Sequence, residues 1–507
     1  MECQTFDEEK TIGAVTLRAS GSSEQVFENE DDVWDGPNDP ARPKNWSQGE
    51  KWRATFLLSG FALIQPLAET MLAPVQKPIS KDLSITRTYD WVLVNSLILI
   101  GVGFGPLILA PISEVYGRKI ALLSGGAVFV VWNTACGVSQ TLGQMLAFRL
   151  LAGFGACVAD AVAGGVLADL WLPHERGRAF AVYMAAPLLG PALGPIAGAF
   201  IATGTTWRWV FWITSIASAV VFVLAMVFLK ETYEPRLAYL RRRRRQSLGG
   251  KPTERNAKAG LQELAKETTE FWQLMWTNLQ RPLRMLATQL IIQLIAIYMA
   301  LLYGTMFLFL YMYPLLWTKQ YGQSVRIGSL NYISAAIGYV AGVQVAGHLN
   351  DSIYSKLKAR SSNNIGRPEY RVPVMPIGTL LVPIGLLWWG WSGETRLHWI
   401  MPNIGCMLFT AGCYICSCCI SVYTIDAYTR YSASAVSTNL VLRSNVAAFF
   451  PLFAPYMFQE VGFGWGATIL AGSFAVIGFG AIFVLWCFGE RIRRRSRYCA
   501  ANDVEFL

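Results

Sequence analysis

Charged residues are scarce in this chain, and so are the signatures of catalysis. Asp, Glu, Lys and Arg together make up 15% of its 507 residues, whereas a soluble domain is usually about a quarter charged. The sequence contains no G-x-x-x-x-G-K phosphate-binding loop and no recognisable catalytic constellation. These absences argue against a soluble domain, an ATP-driven pump and an enzyme. No cleavable signal peptide is recognisable either, because the N-terminal region is polar and acidic.

Long apolar segments take the place of charge. Hydrophobic residues make up 53% of the chain, and a helix needs roughly 20 apolar residues to cross the hydrocarbon core of a bilayer. Windows of that length predict twelve transmembrane helices, at about residues 53–73, 91–113, 120–138, 145–168, 179–202, 208–229, 285–317, 327–347, 372–391, 399–421, 433–458 and 467–487. The sequence therefore predicts an all-α membrane protein.

The basic residues predict how these helices are oriented. Most of the 43 Lys and Arg residues fall in the two tails, in the central loop and in the connections that follow even-numbered helices. Lys and Arg accumulate on the cytoplasmic side of membrane proteins, so both termini are expected in the cytoplasm. The net charge of +10 then reflects this asymmetry and the anionic inner leaflet, and it is not evidence for nucleic-acid binding.

The predicted helices form two groups of six. The predicted organisation is a polar N-terminal tail at 1–52, a six-helix bundle at 53–229, a basic linker at 230–284, a second six-helix bundle at 285–490 and a basic C-terminal tail at 491–507. A charged turn follows the second helix, at Ser113 to Lys119, and a similar turn follows the eighth, at Gly347 to Lys356. This repetition indicates a duplicated bundle, and such transporters bind substrate between the halves and rock about it.

Short motifs follow one another along the whole chain. They include Trp34 to Pro40, Asn45-Trp46, Gly105-Pro106, Ser113-Glu114, Gly117-Arg118, Arg149, Ala168-Asp169, Gly190 to Gly198, Trp207-Arg208-Trp209, Glu231-Thr232, Asp426, Arg443 and Phe450-Pro451-Leu452. In order and spacing they resemble the major facilitator superfamily, and within it the fungal twelve-span drug:proton antiporters, which include multidrug, polyamine and toxin exporters. The resemblance implies two pseudo-symmetric six-helix bundles, and transport driven by a proton gradient without a cofactor.

The charged turn after the second helix is the first candidate site. The resemblance implies that Arg118 bridges Glu114 and Asp169 when the bundles are closed on the inside. A charge pair that breaks during rocking can bias an equilibrium between two states, so these residues are candidates for a gate. The alternative is that the three charges only set the orientation of the helices.

The fifth predicted helix carries a stripe of small residues. Gly190, Gly194 and Gly198 recur every fourth position, which allows close packing of helices. Pro191 and Pro195 are expected to bend this helix and to free backbone carbonyls. The resemblance associates the motif with exporters, whereas the alternative is a packing role without any bearing on the direction of transport.

Ionisable residues inside predicted helices are candidates for substrate binding or proton coupling. Asp160 and Arg149 share one face of the fourth helix, and a face with ionisable residues is expected to look into the bundle. Alternatively, Arg149 extends its long side chain to the outer interface. Arg443 lies deep in the eleventh helix. Asp160 is the first candidate to bind and release a proton and Glu69 is the next, but Asp160 could equally contact substrate or pack against a neighbouring helix.

Several uncharged residues are candidates to line a substrate cavity: Asn95, Gln289, Gln293, Tyr303, Asn331 and Asn445. Tyr303, Phe307 and Tyr311 form an aromatic stripe on the seventh helix, which indicates either packing or a bulky, partly apolar substrate. The four cysteines between positions 413 and 419 lie within the tenth helix, where we expect them to pack as small residues rather than to bind a metal.

These observations together predict a proton-coupled exporter of a small, partly apolar organic compound. A toxin, a drug or a secondary metabolite is the expected substrate, and a monomer in the plasma membrane, or else the vacuolar membrane, is the expected form. A polyamine exporter is the alternative within this class, although it would require several carboxylates in the cavity. A non-transporting membrane sensor is the alternative from another class, and it would require a long signalling tail.

Overall fold

The computed structural model describes residues 39–249, 279–361, 366–428 and 432–496, together with Trp34, Gly36, Trp272, Trp276 and Cys499. Most of the predicted N-terminal and C-terminal tails and part of the predicted linker lie outside these residues. Every regular element within them is a helix. The prediction of an all-α membrane protein is therefore confirmed, whereas the boundaries of the tails and the linker remain predictions.

Twelve long helices make up the fold in the described ranges. They are α1 Gln48–Thr70, α2 Thr88–Val115, α3 Arg118–Val138, α4 Leu142–Ala156 continued by Val158–Leu170, α5 Pro173–Gly204, α6 Arg208–Phe228, α7 Leu290–Leu315, α8 Tyr332–Arg360, α9 Met375–Glu394, α10 Ile400–Ala427, and Ser432–Arg493, which Gly462 divides into α11 and α12. A linker helix, Glu234–Gly249, follows α6. Because the number of long helices is even, both ends of the described chain lie on one side, which we call the inner side.

The last two helices are separate crossings. Gly462 has φ 81° and ψ 173°, which interrupts the helix, and the Glu394 carboxylate accepts a hydrogen bond from the Phe463 backbone N–H at 2.6 Å. The carboxylate satisfies an N–H group that a helix start leaves without a partner. One unbroken helix of 62 residues would measure roughly 90 Å, about three times the hydrocarbon thickness.

Ten segments are long and apolar enough to cross a membrane, and one of them contains both α11 and α12. Helix α8 is not among the ten, since it carries Gln344, His348 and Asn350 in its inner half. Its length and its place in the bundle match those of α2 in the first half. The described helices are thus consistent with the twelve predicted crossings.

The two halves repeat one packing pattern. In the first half α1 packs on α5, α2 on α4, and α3 on both α4 and α6; the same pairs recur six helices later in the second half. The halves meet where α2 packs on α11 and where α5 packs on α8. This arrangement is the one expected of a duplicated six-helix unit.

The glycine stripe of α5 lies directly against α1. A Cβ atom added at Gly190 would overlap the Pro66 ring, and one added at Gly194 would overlap the Thr70 hydroxyl. The Thr70 hydroxyl also donates a hydrogen bond to the Gly190 carbonyl at 3.4 Å. The stripe therefore brings the backbone of α5 against the outer half of α1, where Glu69 lies.

We expect Gly194→Leu to destabilise the protein, because the added side chain has no space between α1 and α5. Overpacking of this kind costs about 1–3 kcal/mol or more, so the apparent Tm in detergent should fall. The matched control is Gly472→Leu in α12, where an added Cβ meets no atom within 4 Å. Equal Tm values for the two variants would contradict the close contact.

Candidate functional site

The outer side of the molecule is closed. The Arg326 guanidinium, just before α8, donates a hydrogen bond to the Thr203 hydroxyl at the end of α5, with 2.5 Å between Nε and Oγ1. Met71, which follows α1, belongs to the same buried core as Leu308 and Tyr311 of α7. Contacts between the two halves therefore seal the outer end of the interface.

The inner side is open by comparison. Asp160 of α4 and Gln344 of α8 are exposed. A Cβ atom added at Gly164 or at Gly347 would meet no atom within 4 Å. A charged side chain exposed in the middle of a membrane helix faces water rather than lipid. The structure is therefore inward-facing, with Asp160 accessible from the inner side.

Arg149 is fully buried and ties three helices together. Its guanidinium donates hydrogen bonds to the Ala68 carbonyl of α1 at 3.0 Å, and to the Val94 and Asn95 carbonyls of α2 at 3.0 and 3.1 Å. The Ala68 carbonyl belongs to the last turn of α1, where helix carbonyls need an outside donor. Arg149 therefore points into the bundle, and the alternative that it extends to the outer interface is wrong.

Glu69 lies next to the carbonyl that Arg149 holds. Only 8% of its surface is exposed, and the Gln65 side-chain amide donates a hydrogen bond to its carboxylate, with 3.1 Å between Nε2 and Oε1. Arg149, Arg443 and Asp160 are all within electrostatic range of this carboxyl. A buried carboxyl thus lies in the outer half of the interface between the two bundles.

Asp160 follows a break in α4. The helix is interrupted at Cys157, and Asp160 falls in the first turn of the segment that begins at Val158. A carboxylate is favoured in that position because the N-terminus of a helix carries partial positive charge. The carboxyl lies beside the Gln65 amide and within electrostatic range of the Arg443 guanidinium. Asp160 and Glu69 are therefore parts of one polar cluster.

Arg443 supplies the cationic side of this cluster from the second half. Its guanidinium donates a hydrogen bond to the Tyr303 hydroxyl at 3.1 Å and lies 4.4 Å from the centre of the Tyr303 ring. A guanidinium has five N–H donors, and no ion pair within 4 Å holds Arg443 among the described residues. Its remaining donors are available to a carboxylate or to a substrate.

Two small cavities adjoin the cluster, with volumes of about 10 and 40 Å³. The larger holds one or a few water molecules but no organic substrate, so the outer half of the interface is occluded. The aromatic stripe of α7 lines both of them: Tyr303 and Phe307 border the larger cavity, and Phe307 and Tyr311 border the smaller. Of the two interpretations of the stripe, the structure favours the one in which it faces the transport path.

The predicted cavity residues divide into two groups. Asn95 lines the smaller cavity with Glu69, and the Asn445 side chain lies at the contact between α2 and α11, within 3.3 Å of a Cβ added at Gly103. Tyr303 borders the larger cavity. The side chains of the other three, Gln289, Gln293 and Asn331, are hydrogen-bonded elsewhere and border neither cavity, so their place in a substrate cavity remains a prediction.

Each of these three amides has a hydrogen-bond partner outside the two cavities. Gln289 accepts a hydrogen bond from Ser496 at the inner end of the protein. Gln293 donates to the Leu286 carbonyl just before α7, at 2.9 Å. Asn331 accepts from the Asn403 amide at 2.7 Å, near the outer end of α8. Helical periodicity does not reveal such local partners.

The charged turn after α2 contains an ion pair. Arg118 Nε lies 3.2 Å from Asp169 Oδ2, and the same guanidinium donates to the Ser113 hydroxyl at 2.7 Å. Glu114 is exposed, and no ion pair joins it to Arg118 in the described part of the chain. The structure therefore brings two of the three predicted gate residues together, and their gating role remains a prediction.

Glu231, after α6, is the second carboxylate at this turn. It accepts hydrogen bonds from the backbone N–H groups of Arg118 at 2.8 Å and Lys119 at 3.1 Å, which satisfies the start of α3. The Arg118 guanidinium also lies 4.7 Å from the centre of the Tyr233 ring. The segment that leads into the linker helix is thus attached to the charged turn after α2.

The second half contains a counterpart that the sequence did not reveal. Arg371, before α9, forms ion pairs with Asp351 at 2.9 Å and with Asp426 at 3.0 Å, and its guanidinium lies 4.0 Å from the centre of the Tyr354 ring. The bridging of two carboxylates that was predicted for Arg118 is therefore observed at Arg371. Asp351 belongs to the repeated turn after α8, but the position of Arg371 before a helix gave no signal in the sequence.

Comparisons with known proteins agree with this fold. The model of the Major Facilitator Superfamily matches residues 58–451. The chain is 42% identical over 485 residues to efflux pump vrtL of Penicillium aethiopicum, with 94% of each chain covered. It is 34% identical over 491 residues to efflux pump radE of Floropilus chiversii, with 97% of this chain and 90% of that protein covered.

Among solved structures, the xylose transporter XylE from E. coli in a partially occluded inward-open conformation has the same fold. The TM-score is 0.60 at 16% identity, with 86% of this chain and 99% of that chain covered. Family, relatives and fold thus agree with the duplicated bundles described above. The chain belongs to the major facilitator superfamily and is a multi-pass membrane transporter related to fungal efflux pumps.

Proposed function

We propose that this protein exports a small, partly apolar organic compound across the plasma membrane in exchange for protons. The observation that carries the proposal is the cluster of Glu69, Asp160 and Arg443 between the two halves. The relatives named efflux pumps support the direction of transport, and the aromatic lining of the cavities supports a bulky substrate. The protein acts as a monomer and needs no cofactor besides the proton gradient.

Exchange requires that substrate and proton do not occupy the site together. A substrate that enters from the open inner side donates a hydrogen bond to the ionised carboxyl of Asp160. A proton on that carboxyl removes its charge and one of its acceptor positions, so the protonated site releases the substrate. Because each ligand weakens the binding of the other by the same factor, proton uptake on the outer side promotes substrate release there.

The chemistry of the cluster also bears on the kind of substrate. Two carboxyls could attract a polyamine, but the Arg443 guanidinium shares the site with them and would repel a second cation. The stacked position of Tyr303 against Arg443 suits a planar, uncharged or weakly polar ring system. A toxin, a drug or a secondary metabolite therefore fits the site better than a polyamine does.

The substrate can be identified by comparing strains. We expect a strain that lacks the protein to retain at least one organic compound that the parent strain releases, and we expect a protonophore to abolish release in the parent. Mass spectrometry of cells and medium measures both effects. Identical profiles in the two strains under conditions of high expression would contradict export, and a protonophore-resistant release would contradict proton coupling.

Asp160→Asn tests the role of the carboxyl that faces the inner side. If Asp160 couples transport to protons, the variant loses accumulation of the identified compound against its gradient, yet it retains exchange of labelled for unlabelled compound across vesicles. If Asp160 only recognises substrate, the variant instead changes which compounds are released. Normal export of every compound against a gradient would leave Asp160 with a packing role alone. Glu69→Gln is the parallel variant for the buried carboxyl.

Arg118→Ala tests the gate. We expect transport to fall at least tenfold while the amount of protein in the membrane is unchanged, because the variant removes the Arg118–Asp169 pair at the inner end of the first half. Lys119→Ala is the matched control, since its side chain donates to the Met226 carbonyl and forms no ion pair among the described residues. Transport at the parental rate in the Arg118 variant would refute the gate.

A further inference from the structure

The two halves contribute complementary hydrogen-bonding groups to the larger cavity. Glu69 of α1 borders it from the first half. One oxygen of its carboxylate, Oε1, accepts from the Gln65 amide at 3.1 Å, and no hydrogen bond among the described residues occupies the other, Oε2. Arg443 and Ser444 of α11 border the same cavity from the second half. An acceptor from one half and donors from the other half therefore meet at one cavity.

The Ser444 hydroxyl is an unused donor at this cavity. Only 5% of the surface of Ser444 is exposed, and its hydroxyl forms no hydrogen bond within the described part of the chain. A hydroxyl inside a helix commonly donates to the carbonyl four residues earlier, as Thr438 does to Ser434 at 2.8 Å on the same helix. Buried polar groups are satisfied by protein or by a bound molecule. An unused hydroxyl at the wall of a cavity therefore points to a ligand there.

The charges at the cavity do not neutralise each other directly. Among the described residues no ion pair within 4 Å joins Arg443 to Glu69. Arg443 donates one hydrogen bond to the Tyr303 hydroxyl and retains other N–H donors. A lone ammonium group in the cavity would be repelled by Arg443, and a lone carboxylate would be repelled by Glu69. The pair of charges thus favours a neutral group that both donates and accepts hydrogen bonds.

The cavity has room for one end of a substrate only. Its volume is about 40 Å³, the space of one or a few water molecules, which suits a carbonyl with a neighbouring N–H or O–H group. Glu69 and Ser444 are buried, whereas Tyr303, Phe307 and Arg443 are half-buried. The polar edge of a ligand can therefore reach the buried end of the cavity while its apolar part lies against the two aromatic rings.

We propose that this cavity is a subsite that selects planar, neutral compounds with a hydrogen-bond donor and an acceptor in neighbouring positions, as in a primary amide or a hydroxyl beside a carbonyl. The donor of the ligand binds Oε2 of Glu69, and the acceptor binds the Arg443 guanidinium and the Ser444 hydroxyl. One edge of the ligand then joins the two halves, which links occupancy of the site to their relative position. This inference rests on the proposed export and names the class of substrate that the site takes.

Binding to the purified protein in lipid nanodiscs tests the subsite without transport. The probe is tritiated naphthamide, a flat apolar ring system with one primary amide, and empty nanodiscs report its partition into lipid. Unlabelled compounds compete with it. We expect naphthamide to bind about tenfold more tightly than its N,N-dimethyl derivative, which keeps the acceptor and lacks the donor, because a hydrogen bond to a charged group is worth about that factor. Naphthoate, an anion, and naphthylmethylammonium, a cation, should also compete more weakly than naphthamide.

Two charge variants should change the selectivity in opposite directions. Glu69→Gln removes the group that repels an anion, so naphthoate should gain affinity relative to naphthamide by about tenfold. Arg443→Met removes the group that repels a cation, so naphthylmethylammonium should gain affinity instead. Misfolding lowers the affinity for every probe, so a gain for one probe reports the site itself.

Ser444→Ala tests the unused hydroxyl with a small change that leaves both charges in place. The variant removes one donor to the acceptor of the ligand, so naphthamide should bind about fivefold more weakly. Ser473→Ala in α12 is the matched control, because the Ser473 hydroxyl donates to the Leu470 carbonyl at 2.9 Å and Ser473 borders neither cavity. This control should bind naphthamide like the parent protein.

The outcomes separate the subsite from the proposed export. If naphthamide binds no more tightly than its dimethyl derivative, or if Ser444→Ala and Glu69→Gln bind all probes as the parent does, the subsite is overturned, whatever the comparison of strains shows. If the expected selectivity is observed while the strains release identical compounds, export fails and the subsite stands. Opposite changes of selectivity in Glu69→Gln and Arg443→Met, with no change in Ser473→Ala, support the inference.

Discussion

The three hydrogen bonds of Arg149 are the interaction on which the rest of the site depends. The bilayer supplies no water to a buried guanidinium, so its charge is tolerated only where protein carbonyls surround it. Carbonyls of α1 and α2 do so here, and they fix α4 against both helices. The close contact of α1 with the glycine stripe of α5 completes the frame, and it holds Glu69 at the interface between the halves as a result.

The inner ends of the two halves use the same chemistry with different partners. In the first half Arg118, at the start of α3, pairs with Asp169 near the end of α4. In the second half Arg371, before α9, pairs with Asp426 near the end of α10. Arg371 also forms an ion pair with Asp351, whereas Glu114, at the equivalent turn of the first half, is exposed. Of the carboxylates described in these two turns, Glu114 is therefore the one without an ion pair, and it lies on α2, which packs on α11 between the halves.

The sequence predicted the helices and one face of α4 well, because apolar length and helical periodicity are local properties of the chain. It placed Arg149 on the inward face and named Arg118 with Asp169. It did not show that Gln289, Gln293 and Asn331 are hydrogen-bonded outside the two cavities, since periodicity says nothing about which carbonyl or amide satisfies a polar side chain. The cap formed by Glu231 depends on a contact between distant segments, which no single helix records.

The distance between the halves at each end, measured against pH, tests the central claim most directly. Spin labels at Ile120→Cys and Lys356→Cys report the inner ends, and labels at Gln140→Cys and Thr395→Cys report the outer ends, in a variant without exposed native cysteines. Between about pH 8 and about pH 5, where carboxyls gain protons, the inner and the outer distances should change in opposite directions, and a variant with both cluster carboxyls neutralised should show neither change. Distances that do not depend on pH, or that change equally in that variant, would contradict proton-driven alternating access through this cluster.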